Sequence, residues 1–160
     1  MAHYMMGWLP LLGHIAHKIP LLPRLIDTSM RTPGLKTLIA KVGGLDTSRP
    51  LIRFAPTSLR KWHKKRSTNS ATKTVVLWPD SFNASLDTSP ATAAVEVLES
   101  LGYNVEIPQA FVCCGLTWHS TGQLDMTQRV LKQTAKVMKP YLDRGSNVTG
   151  YPSYRSLSLD

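Results

Sequence analysis

One stretch near the middle of this chain constrains its fold more than any other. Thr74–Trp78 is a short β-branched and apolar run, typical of a strand buried on both faces of a parallel sheet. Ser89-Pro90 supplies an N-cap and a first-turn proline for a helix, and Gly102 is suited to end that helix. Tyr103–Ile107 is a second candidate strand. A strand, a helix and a strand in so short a span predict a βαβ unit with parallel strands.

The rest of the C-terminal half extends this pattern. The inward face of the first helix is predicted to comprise Ala94, Val97, Leu98 and Leu101. A longer helix is predicted over residues 123–142, with an inward face of Leu124, Leu131, Met138 and Leu142. Asn147–Gly150 is a candidate third strand. Together these elements predict an α/β fold: a small parallel βαβ-type sheet with flanking helices, preceded by an irregular helical connector.

Charge is divided unequally along the 160 residues, and the division indicates two parts. Residues 1–73 hold thirteen Lys and Arg but only two acidic residues, whereas residues 74–160 hold six basic and eight acidic residues. The first part is also broken by proline and glycine into short helical pieces. We therefore predict a basic helical connector over residues 1–66, a linker over residues 67–73, and an α/β domain over residues 74–160.

The basic run Arg60–Arg66, which contains Trp62 and His63, leaves several interpretations open. It resembles a nucleic-acid-binding patch, but a solvated connector face or a dock for an acidic partner surface would show the same pattern. Because the second half is nearly neutral, the charge division argues against a nucleic-acid-binding protein. No uncharged apolar run reaches the roughly 20 residues that span a bilayer, so we expect no transmembrane segment. Peripheral membrane contact by the N-terminal helices stays open.

The chain has two cysteines, and they are adjacent, at positions 113 and 114. Vicinal cysteines bridge only with strain, so free thiols and a reducing, cytoplasmic location are expected. Thiolates bind soft metals and iron–sulfur clusters, and Gly115 allows the backbone to approach closely. The alternative is that both cysteines are small buried hydrophobic residues.

Two loops are expected to bring candidate site residues to one edge of the sheet. Asp80 follows the first strand and Cys113-Cys114-Gly115 follows the second, and the carboxyl ends of neighbouring parallel strands share one crevice. Asp80 is either a hard ligand or proton acceptor, or a turn cap, which is the commoner role of such residues. His119 is either an accessory ligand or proton shuttle, or a structural histidine.

The segments Val75–Ala84 and Val112–Asp125, with the helix between them, resemble the cysteine-rich CCG domain. More specifically, they resemble the C-terminal part of bacterial FAD-linked oxidases with an iron–sulfur domain, of the D-lactate or glycolate dehydrogenase type. Further upstream, Tyr4–Pro10 and Arg49–Pro56 are similar to the connector that follows the ferredoxin-type domain of that family. The resemblance thus extends over nearly the whole chain. It implies that residues 74–160 are a cysteine-rich, CCG-like domain that is incomplete at its C-terminus.

The resemblance implies a fragment or subunit of an FAD/iron–sulfur oxidoreductase that oxidises a small 2-hydroxy acid such as lactate or glycolate. FAD would belong to a parent domain that this sequence lacks, so flavin and ferredoxin-type domains or subunits are the expected partners. Cys113, Cys114 and Gly115, together with Asp80, take the cofactor-binding positions of an electron-transfer module with a 4Fe-4S cluster. The chain is not expected to be active alone.

One departure from the family pattern concerns the cofactor. The family carries a further cysteine after a Pro-Ser pair, whereas this chain has Tyr154 at that position. Tyrosine oxygen is a harder ligand than thiolate and replaces it poorly at an iron–sulfur centre. Cluster binding is therefore expected to be lost. The alternative to an electron-transfer module is a non-catalytic remnant or interaction module without a cofactor.

Overall fold

The computed structural model describes residues 2–32, 54–66 and 73–150, together with residues 34, 37 and 38. Within these residues the helices are α1 (Ala2–Ala16), α2 (Leu22–Arg31), α3 (Leu59–Lys64), α4 (Ser81–Ser85), α5 (Ser89–Ser100), α6 (Leu116–Ser120) and α7 (Leu124–Asp143). The strands are β1 (Lys73–Trp78), β2 (Tyr103–Glu106) and β3 (Asn147–Gly150). The predicted strand–helix–strand unit and the third strand are present, so the α/β prediction is confirmed.

The three strands form one parallel sheet in the order β2-β1-β3, with β1 in the middle. Val75 of β1 pairs with Val105 of β2 on one side and with Asn147 of β3 on the other. Parallel neighbours require a crossover connection, and α5 lies between β1 and β2 in the chain while α7 precedes β3. All three strands therefore end at the same edge of the sheet, where the loops that carry the candidate site begin.

Side chains alternate along β1 and fill a separate core on each face of the sheet. Val75 and Leu77 pack on one face with buried residues of α3, α5 and the β2 segment, namely Leu59, Ala91, Val95, Val105 and Ile107. Val76 and Trp78 belong to the cluster on the other face, which includes Val112, Val137, Met138 and Tyr141. Each large aliphatic side chain that leaves water contributes about 1.5–3 kcal/mol. Burial on both faces therefore explains the uninterrupted apolar run of β1.

Helix α1 packs directly on the helices of the C-terminal half. The Gly7 carbonyl oxygen accepts a hydrogen bond from the Thr117 hydroxyl (3.1 Å), and the Tyr4 carbonyl oxygen accepts one from Gln123 Nε2 (3.0 Å). A Cβ atom at position 7 would lie 2.5 Å from that Gln123 nitrogen, so glycine is what permits this approach. The expectation that prolines break this part of the chain is wrong at Pro10, because α1 continues through that residue to Ala16.

Helix α5 begins and packs differently from the prediction. Thr88, and not Ser89, occupies the N-cap position, so that Ser89-Pro90 lies in the first turn. The predicted inward residues Val97 and Leu101 are exposed, and the buried side chains are those of Ala91 and Val95. Positions 91, 95 and 98 lie on one helical face, rotated from the predicted one, and this face contacts the sheet.

The inward face of α7 also differs from the prediction. Of the predicted residues only Met138 is buried, whereas Leu124, Leu131 and Leu142 are exposed. The buried stripe comprises Thr127, Val130, Thr134 and Met138. Threonine takes two of these positions. The Thr127 hydroxyl donates to the Gln123 carbonyl oxygen within the helix, and the Thr134 hydroxyl bonds the backbone groups of Cys113, which a leucine would not satisfy.

The first residue of the basic run, Arg60, is buried. Arg60 is 8% exposed, and its Nε donates to the Pro108 carbonyl oxygen at 2.8 Å. Arg66 forms an ion pair with Glu99, and its guanidinium lies over the Trp62 ring. The prediction of a solvated connector face is therefore wrong for Arg60, which a neighbouring carbonyl holds inside the protein.

Several expectations concern residues outside the described part of the chain. Most of residues 33–53, all of residues 67–72 and position 154 fall there. The boundaries of the connector, the linker and the cysteine-rich domain accordingly stay a prediction. In the described ranges, no helix combines the length and apolar character needed to cross a membrane.

Candidate functional site

Two loops meet at the edge where the parallel strands end. Helix α4 begins shortly after β1, and residues 107–115 connect β2 to α6. The Ser81 hydroxyl, at the start of α4, donates a hydrogen bond to Cys113 Sγ at 3.4 Å. The structure therefore places the loop after β1 against Cys113 and Cys114, hereafter the thiol pair, as the parallel topology predicts.

The two thiols occupy different environments although they are neighbours in sequence. Cys113 is buried and packs with Trp118 and Val130, whereas Cys114 is exposed. The hydrogen bond between the thiols, together with burial, raises the pKa of Cys113 well above its ordinary value, so Cys113 stays protonated. The same hydrogen bond, assisted by the Leu116 backbone N–H, lowers the pKa of Cys114 to about 6. At neutral pH the thiol pair is therefore an exposed thiolate bonded to a buried thiol.

Gly115 meets a backbone requirement of the loop. Its φ is +75°, a left-handed conformation that residues with a side chain rarely adopt. A Cβ atom there would also lie 3.2 Å from Thr127 Cγ2. The Gly115 N–H donates to Cys113 Sγ at 3.5 Å. Glycine thus allows the chain to fold back over the buried sulfur and to begin α6.

Thr134, which the sequence analysis did not select, holds the thiol pair in place. Its hydroxyl accepts a hydrogen bond from the Cys113 N–H and donates one to the Cys113 carbonyl oxygen, both at 3.0 Å. One side chain therefore satisfies both backbone groups of the buried cysteine. The sequence carries a signal for this role, because Thr127 and Thr134 stand two helical turns apart on one face of α7.

Asp80 serves as the N-cap of α4. Its Oδ1 accepts hydrogen bonds from the backbone N–H groups of Phe82 (2.8 Å) and Asn83 (3.0 Å), and its Oδ2 accepts one from the Asn83 side-chain amide. Of the two interpretations of Asp80, this geometry favours the cap. Its negative charge still acts on the thiol pair, because it raises the pKa of Cys114 and so opposes the hydrogen bonds that lower it.

Three aromatic rings from different segments pack together beside Cys113 and form an aromatic wall. Trp118 is fully buried, and its ring contacts those of Phe111 and Trp8 edge-on, with centroids 6.3 and 6.2 Å away. His119 is exposed at the end of α6, and no hydrogen bond among the described residues joins its ring to either thiol. Its role as an accessory ligand stays a prediction.

The donor atoms of the described residues do not fit an iron–sulfur cluster. Such clusters take about four protein ligands, usually thiolates, whereas the thiol pair supplies two sulfurs, one of which keeps its proton. Asp80 uses both carboxylate oxygens to cap α4. Within the described ranges no group of three or more His, Cys, Asp or Glu side chains is arranged to hold a metal ion.

Comparison with known proteins shows a partial similarity. The chain is 39% identical over 46 residues to "Lactate utilization protein A" of Bacillus thuringiensis (strain Al Hakam) and of Bacillus cytotoxicus, and to "Lactate utilization protein A 2" of Bacillus mycoides. Each match covers 29% of this chain and 19% of the relative, so the matched part spans about a fifth of those proteins. No family model matches the chain, and no solved structure matches it. The similarity is weak and is consistent with a lactate-utilisation-related family, while the CCG assignment stays unconfirmed.

Proposed function

We propose that this chain is the cysteine-rich module of an FAD/iron–sulfur oxidoreductase that oxidises a small 2-hydroxy acid such as lactate or glycolate. The thiol pair at the carboxyl ends of the parallel strands is the observation that carries the proposal. In open parallel sheets, ligands bind at this edge. The partial likeness to Lactate utilization protein A supports the substrate class.

The contribution of this chain to such an assembly is a positioned thiolate. Cys114 is exposed and ionised at neutral pH, while Cys113 keeps its proton inside the domain. A thiolate is both a nucleophile and a soft ligand, and its exposure makes it accessible to a partner. We propose a flavin or ferredoxin-type domain or subunit as that partner. Because the donor set is incomplete, no electron-transfer step through a cluster is assigned to this chain.

A second candidate is an interaction module without a cofactor. The donor set of the described residues favours it, because it supplies two thiols and no group of three or more side chains arranged to hold a metal ion. Nucleic-acid binding is not proposed. In the basic run, Arg60 is buried and the Trp62 ring lies under the Arg66 guanidinium, so the run does not present an aromatic surface on which bases stack.

The test uses the full chain, affinity-tagged and isolated from its own cells without oxygen. We expect flavin absorption, together with dye reduction that depends on D-lactate or glycolate, in the purified assembly. Cys114→Ser is expected to lower this activity at least about tenfold while flavin is retained, because a hydroxyl does not ionise at neutral pH. Ser120→Ala, on the exposed side of α6, is the matched control and is expected to leave the activity unchanged.

The two candidates differ in their outcomes. Activity that disappears in Cys114→Ser but survives in the control supports the cysteine-rich module. Activity that is equal in both variants indicates an interaction module that holds the assembly together. A preparation with neither flavin nor 2-hydroxy-acid oxidation contradicts the oxidoreductase assignment altogether.

A further inference from the structure

A cleft of about 230 Å³ lies at the end of α4 opposite to the thiol pair. We call it the basic cleft, because its lining includes Lys18, Arg60, Lys61 and Lys64 together with His14 and His17. The described residues that line it include no Asp or Glu. Four cations therefore converge on one concave surface, and its described lining supplies no carboxylate to pair with them.

Arg60 is the most unusual of these cations, because it is buried. Its Nε donates to the Pro108 carbonyl oxygen, which fixes the guanidinium and leaves both Nη groups without an acceptor among the described residues. Burial lowers the pKa of Arg60 to about 10, so the group remains charged at neutral pH. Buried charges in proteins are normally paired, since an isolated charge costs several kcal/mol in a medium that solvates it poorly. Among the described residues that line it, the basic cleft thus has no counter-charge for Arg60.

Both histidines of the basic cleft have lowered pKa values, mainly because they are buried. Burial, and after it the charges of Arg60 and Lys18, lower the pKa of His14 to about 4. His17 donates from Nε2 to the Ser85 carbonyl oxygen at 2.9 Å, and burial lowers its pKa as well. Both rings are therefore neutral at neutral pH and offer nitrogen atoms for hydrogen bonds without adding charge.

We propose that the basic cleft binds a small polyvalent oxyanion, of the phosphate or the polycarboxylate class. The Nη groups of Arg60, which have no acceptor among the described residues, match the paired oxygens of either class. The exposed Lys18, Lys61 and Lys64 add charge around them. The volume sets the size of the ligand. A cavity of about 150 Å³ holds a benzene molecule, so 230 Å³ admits a phosphate group or a short carbon skeleton. This site is independent of the thiol pair and of the function proposed for it.

The test measures ligand binding to the full chain at constant ionic strength. Pyrophosphate, phosphate, citrate and chloride are titrated by calorimetry, and the unfolding temperature is followed in parallel. We expect saturable binding of at least one polyvalent oxyanion, with a higher unfolding temperature, and no comparable effect of chloride. Lys61→Ala/Lys64→Ala is expected to weaken this binding about tenfold, because two exposed charges are removed from the lining.

The matched control is Lys65→Ala/Lys132→Ala, which removes the same charge from exposed positions outside the lining. It is expected to change the affinity by less than about twofold. Arg60→Lys keeps the charge but removes the paired donors, and is expected to weaken binding by about tenfold or more. If Arg60→Lys impairs folding, Lys61→Ala/Lys64→Ala, hereafter the rim variant, still tests whether the basic cleft binds the anion, because Lys61 and Lys64 are exposed.

Comparing the affinities of the titrated anions also identifies the chemical class of the ligand. Tighter binding of pyrophosphate than of citrate supports the phosphate class, and the reverse order supports the polycarboxylate class. Equal weakening in the rim variant and in its control contradicts the proposal, because binding would then follow total charge. Equal responses to chloride and to the polyvalent ions contradict it as well.

Discussion

The thiol pair and the basic cleft lie at the two ends of α4 and differ in charge: the thiol pair holds an anion with its hydrogen-bond donors, and the basic cleft holds cations without a counter-charge in its described lining. At the start of this five-residue helix, Ser81 contacts Cys113, and at its end the Ser85 carbonyl oxygen accepts a hydrogen bond from His17. A helix of that length rises only about 7 Å. One short helix therefore contacts both sites and keeps them close together.

The two regions differ in whether their charges have partners within the described part of the chain. The thiolate of Cys114 is accompanied by its donors, because Cys113 and the Leu116 N–H both stabilise the negative charge. The cations of the basic cleft have no such partner in their described lining. Burial raises the cost of an unpaired charge in both regions. The thiol pair offsets that cost with several hydrogen bonds of its own, whereas among the described residues the guanidinium of Arg60 has one, from its Nε to the Pro108 carbonyl oxygen. The comparison teaches that a site which lacks its counter-charge is more informative about a ligand than one which supplies it.

The largest expected effect comes from the wall behind the thiol pair. Trp118→Ala removes a fully buried ring that contacts Phe111 and Trp8, and is expected to lower the free energy of unfolding by about 3–5 kcal/mol. Urea denaturation measures the change. Leu116→Ala, on an exposed side chain of the same helix, is the control and is expected to cost less than about 0.5 kcal/mol. Similar losses in both variants would show that the wall is not packed as described.

The next effect sharpens the contrast within the thiol pair. Iodoacetamide at pH 7 is expected to alkylate Cys114 about a hundredfold faster than Cys113, because Cys114 is exposed and ionised while Cys113 is buried and protonated. Peptide mass spectrometry at successive times gives both rates. In denaturant the two rates are expected to converge.

The pH dependence follows from the lowered pKa of Cys114. Above a pKa of about 6 the group is a thiolate, and as the pH falls through that value it takes up a proton. The alkylation rate is therefore expected to fall about tenfold between pH 7 and pH 5. A midpoint near 8.5, the ordinary value for cysteine, would show that Cys113 does not donate to Cys114 in solution.

The third effect tests the contact that joins α1 to the rest of the chain. In Gly7→Val, the new side chain would collide with Gln123 Nε2 and displace its hydrogen bond to the Tyr4 carbonyl oxygen. Overpacking of this kind is expected to cost about 1–3 kcal/mol of unfolding free energy. Thermal unfolding provides the measurement, and Leu12→Val, at an exposed position of α1, is the control. A neutral Gly7→Val would contradict the described packing of α1.

The fold was accessible from the sequence to the extent that local patterns determine it. The apolar β-branched run of β1, the glycine at 102 and the third strand were all recognisable, because they depend on neighbours in the chain. Parallel topology then placed the loop of Asp80 near Cys113 without further information.

The buried polar residues could not be predicted from the sequence, because their positions depend on contacts between residues distant in the chain. Leu124 and Leu131 fit an inward helical pattern, yet Thr134 faces the core because the Cys113 backbone requires a donor and an acceptor there. Likewise, Arg60 looked like part of a solvated run until the Pro108 carbonyl oxygen, 48 positions away, fixed it inside. Hydrophobicity predicts which residues prefer the interior, but not which polar group another segment will need there.

The smallest expected effect concerns a cation that already has its partner. Arg66 forms ion pairs with Glu99 (2.6 Å) and Glu96 (3.6 Å), and it lies outside the lining of the basic cleft. A double-mutant cycle of Arg66→Ala and Glu99→Ala is expected to give a coupling free energy of about 0.5–1 kcal/mol, since Arg66 is partly exposed and water screens the pair. Because the charge of Arg66 is already compensated, Arg66→Ala should leave pyrophosphate affinity within about twofold, whereas Lys61→Ala is expected to weaken it by up to about fivefold. If calorimetry shows equal losses of pyrophosphate affinity for Arg66→Ala and Lys61→Ala, the affinity follows total charge, and pairing of the cation does not matter.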